Sequence, residues 1–233
     1  MKLNECFEAN GLSGLLDEEK EERLSRLCRL LLDYNEKVNL TAITDPDQIY
    51  VKHMADSAFL ARYLEKDSAL IDIGCGGGFP SLPVAILRPD VSVTAVDSTE
   101  KKLRFVSYVA EQLGINNIKT VCGRAEELCG PGMRESFDAA TARAVAPLPV
   151  LCELCVPYLK KGGVFLAMKT DESEVKDALS AAAATGAVHE RSDRYTLKGP
   201  DFEADRCVIV FRKTEKTNEK YPRRYSLIKS KPL

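Results

Sequence analysis

Residues 70–80, LIDIGCGGGFP, form an apolar run that breaks into Gly74, Gly76, Gly77 and Gly78, and no other segment constrains the fold of this chain as strongly. An apolar run that ends in residues without Cβ is a strand that turns sharply, so that backbone N–H groups can lie directly against a ligand. Pro80 falls where the first turn of a following helix takes it, because the N–H that proline lacks has no partner there anyway. The next apolar run, VSVTAVD, ends in Asp97, 23 residues after Gly74. A carboxylate at the tip of a second strand is placed to accept hydrogen bonds from two ribose hydroxyls. The unit predicted is strand, loop, helix, strand, with a nucleoside held at its carboxyl end.

The glycine spacing selects among nucleoside ligands. A dinucleotide site needs G-x-G-x-x-G, whose third glycine lets helix and strand pack closely beneath a pyrophosphate. Counted from Gly74 that position is Phe79, and counted from Gly76 it is Ser81, so the fingerprint fails in both registers. What remains is G-x-G-x-G preceded by Asp72, which resembles the loop with which class I methyltransferases bind S-adenosylmethionine.

Residues 1–66 read as helical. Leu24, Leu27, Leu31, Tyr34 and Val38 recur at three- and four-residue steps behind Asp17, which serves as N-cap. Asp45-Pro46-Asp47-Gln48 announces a second helix running to about residue 64, with Asp45 capping and Gln48 reaching back. On it His53, Asp56 and Ser57 share a face with Ile49 and Leu60. Strands are expected near 69–73, 92–97, 118–122, 137–141, 163–168, 187–195 and 206–212, and helices near 80–88, 100–113, 147–160 and 172–184. Such alternation predicts the α/β class, a doubly wound parallel sheet with an antiparallel edge pair, whose ligand sits at the switch in strand order. A chain of 233 residues that is 45% hydrophobic can bury one substantial core. The expected division is an N-terminal helical extension (1–66), a class I methyltransferase domain (67–213) and a basic tail (214–233).

The stretch MKLNECFEANG is not apolar enough for a signal peptide, and no run approaches the roughly 18 apolar residues of a membrane span. A cytoplasmic protein without a membrane partner is therefore expected, and eight cysteines without an export signal fit a reducing compartment. Only Cys152 and Cys155 have C-x-x-C spacing, inside the helical-looking PVLCELCVPYL, and the only histidines are His53 and His189. A structural zinc site needs four ligands, so no metal is expected, and the cysteines read as buried thiols.

The net charge of −2 conceals an asymmetry. Residues 212–233 hold eight basic residues (Arg212, Lys213, Lys216, Lys220, Arg223, Arg224, Lys229, Lys231) against Glu215 and Glu219, leaving +6 on this segment and −8 on the rest. Charge alone fits either a solvated tail or an arm for an anionic polymer. Tyr221 and Tyr225, around Pro222, Arg223 and Arg224, interleave aromatic faces with guanidinium groups and favour nucleic acid.

Seven separated segments and the chain's close then carry a more specific resemblance. VNLTAITDP, VKHMADS, IDIGCGGGFPSLP, VDSTEKK, GRAEE, TARAVAPL and KYPRR with KPL, in this order from about residue 30 to 233, resemble the bacterial 16S ribosomal RNA guanine-N7 methyltransferases, also called glucose-inhibited division protein B. The resemblance implies transfer of a methyl group from S-adenosylmethionine to N7 of one guanosine, in naked 16S ribosomal RNA or a small-subunit particle. A monomer is expected. The implied cofactor contacts are Gly74, Gly76, Gly78, Phe79, Asp97, Ser98, Ala125, Glu126 and Arg143, and the candidates for the catalytic step are Arg143, His53 and Lys169. Two departures stand out: Thr170 where the family usually has glycine, and Tyr225-Ser226-Leu227-Ile228 where a Gly-Thr-Pro-like stretch is usual.

The chemistry of the residues agrees. Methylation of an exocyclic amine typically uses an Asn/Asp-Pro-Pro-Tyr loop after the fourth strand, and here that loop is Thr141-Ala142-Arg143-Ala144. Carbon methylation of a pyrimidine needs a cysteine nucleophile, and the nearest are Cys129 and Cys152. Guanine N7 offers a free lone pair beside O6 and bears no proton, so no general base is required. Catalysis then reduces to alignment, which can supply roughly 7–11 kcal/mol. Each candidate also has a structural alternative. Arg143 can pair with Asp138 or Glu126, His53 and Asp56 can form a packing cluster, Lys169 can be a solvated strand end, and Glu126 can cap a helix.

Overall fold

A computed structural model describes residues 1–233. The extension opens with α1 (Leu3–Ala9) and α2 (Glu18–Asn35), the latter capped by Asp17, whose Oδ1 accepts from Lys20 N–H at 2.8 Å. The apolar periodicity continues to Val38, but the helix stops at Asn35. The Asn35 side chain accepts from Leu40 and Thr41 N–H (2.7 and 3.0 Å) and donates to Thr41 C=O, which draws the following loop back across the helix end.

The second helix is three segments in one: α3 (Pro46–Ile49), a π-helical turn (Tyr50–Ala55) and α4 (Asp56–Ala61). Asp45 caps it through Gln48 N–H at 2.9 Å. Gln48 does not reach back, because its side-chain carbonyl accepts from Lys52 Nζ instead. The helix ends at Ala61, not near residue 64, because the Arg88 guanidinium takes Ala61 C=O and Leu64 C=O (2.9 and 2.7 Å).

The sheet follows as β1 (Ala69–Ile73), α5 (Ser81–Leu87), β2 (Ser92–Asp97), α6 (Glu100–Leu113), β3 (Ile118–Cys122), α7 (Ala125–Leu128), β4 (Phe137–Arg143), α8 (Leu148–Cys155), β5 (Leu159–Lys169), α9 (Val175–Thr185), β6 (Ala187–Gly199) and β7 (Phe202–Lys213). Its strand order is β3-β2-β1-β4-β5-β7-β6, with the first five parallel and β7 antiparallel to both neighbours. The order reverses between β1 and β4, so the crevice beyond their carboxyl ends is the place for a ligand. Pro80 precedes α5 instead of opening it, because Gly78 and Phe79 N–H both donate to Cys75 C=O in a closed turn. α8 stops short of the expected residue 160 because Pro157 forces a single 3-10 turn there.

Alternate residues of the strands feed two cores. Leu70, Ala139, Leu166 and Val208 face α5, α6 and the helical extension, whereas Ile71, Ala140, Phe165 and Ile209 face α8 and α9. Cys152 and Cys155 are fully buried in the second core, and burial pushes both thiols well up. No helix is long and apolar enough to cross a membrane.

The basic segment is not a free arm. Its last helix, α10 (Tyr225–Ser230), seats buried Ile228 in the second core, and Tyr221 is buried as well. Arg223 donates its backbone N–H and two guanidinium N–H groups to the carboxylate of Glu153, a residue of α8 only 1% exposed, at 2.7–2.8 Å. Lys213 is buried and pairs with Glu135. A short apolar core patch and one buried carboxylate thus recruit the chain end, leaving Lys216, Lys220, Arg224, Lys229 and Lys231 without ion pairs. Arg223→Ala should strand Glu153 as an unpaired buried charge and cost about 3–5 kcal/mol in urea unfolding. Arg224→Ala should stay within about 0.5 kcal/mol of wild type.

Candidate functional site

The site is built where β1 and β2 end side by side. Gly74 and Cys75 N–H both donate to Val96 C=O (2.8 and 2.9 Å), stitching the glycine loop to β2. Gly74 is left-handed (φ 74°), and a Cβ on it would lie 2.6 Å from a methyl of Val145, so any other residue here would strain the backbone and displace Val145. Asp97 then fixes both loops at once. One carboxylate oxygen accepts from Gly76 N–H at 3.0 Å and the other from Thr99 N–H at 2.8 Å. Each oxygen keeps a lone pair for a further donor.

A cavity of about 390 Å³ lies over this junction, within the range of small-ligand pockets. Gly74, Asp97, Ser98, Ala125 and Glu126, all expected at a cofactor, line it. Gly76 and Gly78, also expected at the cofactor, do not line it: Gly76 donates its N–H to Asp97, and Gly78 packs against Leu82 and Val106. Glu126 does not cap a helix, because its carboxylate pairs with Arg124 at 2.8 Å. Beneath the loop Asp72 is fully buried; Ser81 donates to one of its oxygens and the other has no partner. Burial pushes Asp72 up to about 6.

Phe79 and Arg143 stand apart from this cavity, in a second cluster at the foot of the helical extension. The Arg143 guanidinium donates to Asp56 Oδ2 and Lys52 C=O, both at 3.0 Å, and to His53 Nδ1 at 3.3 Å. Asp138 is held by Lys160 and Glu126 by Arg124, so the ion-pair partner of Arg143 is Asp56. Tyr195 donates to the other Asp56 oxygen at 2.7 Å and stacks on Phe59. His53 stacks on Phe79 with ring centres 4.5 Å apart. With Nδ1 accepting from Arg143, the ring proton sits on Nε2 and donates to Thr41 Oγ1 at 3.0 Å. Burial first, and Arg143 second, lower His53 to about 3, so it stays neutral.

Lys169 belongs to neither cluster. It donates to Ala146 C=O (3.1 Å) and pairs with Glu174 (2.8 Å), while Glu174 also accepts from Leu148 N–H. Lys169 therefore clamps the loop after β4, in which Ala144 carries a positive φ of 55° and Val145 lies on Gly74.

Residues 20–198 match the family described as GidB, rRNA small subunit methyltransferase G. The chain belongs to this family. A ribosomal RNA small subunit methyltransferase G of Lysinibacillus sphaericus is 40% identical, with 100% of each chain covered. That of Geobacillus thermodenitrificans is 41% identical over 97% of this chain and 96% of its own. The fold is also that of more distant solved methyltransferases. TYW2 of M. jannaschii, solved in complex with AdoMet, matches at TM-score 0.56 and 13% identity over 68% of this chain and 74% of its own. A SAM-dependent O-methyltransferase of Thermotoga maritima matches at TM-score 0.54 and 19% identity over 81% and 73%.

For this methyltransferase G family member, sequence reasoning missed Ala144, Val145, Lys102, Arg124, Leu154 and Tyr225 as cavity residues. Lys102 and Val145 stood within the motifs VDSTEKK and TARAVAPL, and Tyr225 within the tail's departure from the family pattern.

Two outcomes follow from the second cluster. Arg143→Ala leaves Asp56 buried without its cation and should cost about 3–5 kcal/mol, read by urea unfolding. His53 is neutral when folded but titrates near 6.5 when unfolded, so protons favour the unfolded chain. Its stabilisation is complete above about pH 6.5 and is lost as pH falls toward about 3. His53→Gln should flatten the fall in urea midpoint across that window relative to wild type.

Proposed function

We propose that this chain transfers the methyl group of S-adenosylmethionine to N7 of a guanosine in 16S ribosomal RNA, acting as a monomer on the RNA or on a small-subunit particle. The observation that carries the reading is Asp97, which holds the glycine loop and the β2–α6 loop together while keeping lone pairs directed to a cavity at the strand switch. The residues fit a nucleoside cofactor: Gly74 lets the strand end turn beneath the cavity, and Asp97, with one backbone donor on each oxygen, can still accept from ribose hydroxyls. Ser98, Ala125 and Glu126 would hold the base beyond the ribose, with no cradle for phosphate. When bound, the cofactor supplies a sulfonium methyl group, which is the chemical step's electrophile.

The protein's own residues then align and shield the acceptor. Arg143 has N–H groups left after its three contacts, and these suit the O6 acceptor of a guanine beside Phe79. His53 is neutral with its proton committed to Thr41, so it supports stacking and not proton abstraction, as an N7 acceptor requires. Lys169 holds the loop that carries Val145 over Gly74. The unpaired Lys216, Lys220, Arg224, Lys229 and Lys231 are suited to RNA phosphates.

Nucleoside mapping of small-subunit RNA from cells lacking the gene should show one N7-methylguanosine missing, restored by the purified chain with S-adenosylmethionine. Unchanged RNA with methylation of a protein or small molecule in its place would overturn the substrate. Asp97→Ala should weaken binding of S-adenosylhomocysteine by about 1.5–3 kcal/mol in calorimetry.

A further inference from the structure

Tyr225 is the one aromatic side chain on the wall of the nucleoside cavity, and it comes from the C-terminal segment, far from every motif of the class I domain. Its ring lies against the Arg124 guanidinium, 4.5 Å from ring centre to carbon, and Arg124 is tied to Glu126. Arg124, Ala125 and Glu126 follow β3, whereas Gly74 follows β1 and Ala144 and Val145 follow β4; in the strand order β3-β2-β1-β4 the two groups flank Asp97 at the end of β2 from opposite sides. The ring therefore borders the end at which a base sits, not the end at which an amino-acid chain sits. The bidentate Arg223–Glu153 pair two residues before it and buried Ile228 three residues after it fix where the ring stands.

We propose that Tyr225 is a nucleobase-binding residue of this site, supplying an aromatic face for the adenine of the cofactor, so that the docked C-terminal segment completes the cavity. The inference rests on the cofactor reading above. A base has a π-face whatever its edge pattern, and a tyrosine with only two side-chain torsions offers such a face at small entropic cost. Arg124, lying over one face of the ring and tied to Glu126, holds the phenol in place and leaves the other face for a base.

The chain contains no tryptophan, so Tyr225→Trp places a single indole at the site. The full-length variant should bind S-adenosylhomocysteine and change its indole emission on saturation. By calorimetry Tyr225→Phe should bind within about threefold of wild type, and Tyr225→Ala about 5- to 150-fold more weakly, the range for losing one base-stacking aromatic. The same factor should appear with 5′-methylthioadenosine, which has the nucleoside but no amino-acid end. Ser226→Ala, next in sequence and outside the cavity, should bind as wild type does. Wild-type affinity in Tyr225→Ala overturns the inference, as does a loss seen with S-adenosylhomocysteine but not with 5′-methylthioadenosine. A wild-type chain that binds neither ligand overturns the cofactor reading itself, and this inference with it.

Discussion

The helical extension and the sheet meet across one buried ion pair, Arg143 with Asp56, and the cluster of His53, Phe79 and Tyr195 is arranged around it. At 3.0 Å and an effective dielectric of about 20, the attraction is about 5–6 kcal/mol, while each ion loses several kcal/mol of hydration. The pair is therefore held by its surroundings as much as by its charges. Tyr195 satisfies the second Asp56 oxygen, and burial together with Asp56 pushes its phenol well up, so it remains a donor. Lys52 C=O and His53 take further guanidinium protons. A π-helical turn over Tyr50–Ala55 brings Lys52, His53 and Asp56 to the same guanidinium. An extra residue in a turn of helix costs backbone hydrogen-bond geometry, and such turns recur at functional sites.

Much of the sheet was legible because its signals are local. The apolar runs that end at Gly74 and Asp97, helices that close at Gly114 and Gly186 in left-handed conformation, and the Asp17 and Asp45 caps each depend on a few neighbouring residues. What local pattern does not encode is where side chains reach back over long separations. Asn35 ends α2 by binding residues 40 and 41, and Arg88 ends α4 by binding carbonyls 27 and 24 residues earlier. The π turn has no periodicity of its own against an apolar stripe that tolerates either spacing.

The cavity was legible for the same reason as the sheet. Gly74, Asp97, Ser98, Ala125 and Glu126 sit at strand ends, and strand ends share a location once the topology is known. Arg143 and Phe79 follow the same rule yet face the helical extension, because Asp56 provides a partner that no motif spacing announces. The tail shows the limit of charge counting. Six net positive charges read as a polymer-binding arm, while Glu153, a lone carboxylate among the apolar residues of α8, was the sign that a cation had to come to it. A charged carboxylate at 1% exposure is costly unless a cation or hydrogen-bond donors meet it, and Arg223 supplies both to Glu153.

The division of labour between the two clusters matches what the chemistry demands. On the proposed reading the acceptor is guanine N7, which needs no proton removed, so a cluster that receives it needs rigid alignment and no titrating group near neutral pH. His53 meets that condition because its two ring nitrogens are committed in opposite senses, one accepting from Arg143 and one donating to Thr41. Ionising it would place a cation against Arg143 in a site that already resists charge. The histidine is therefore a stacking surface for Phe79 and a brace for Arg143. The same geometry would be a liability in an enzyme that must take a proton from its acceptor, so the locked tautomer itself argues for an acceptor that carries none.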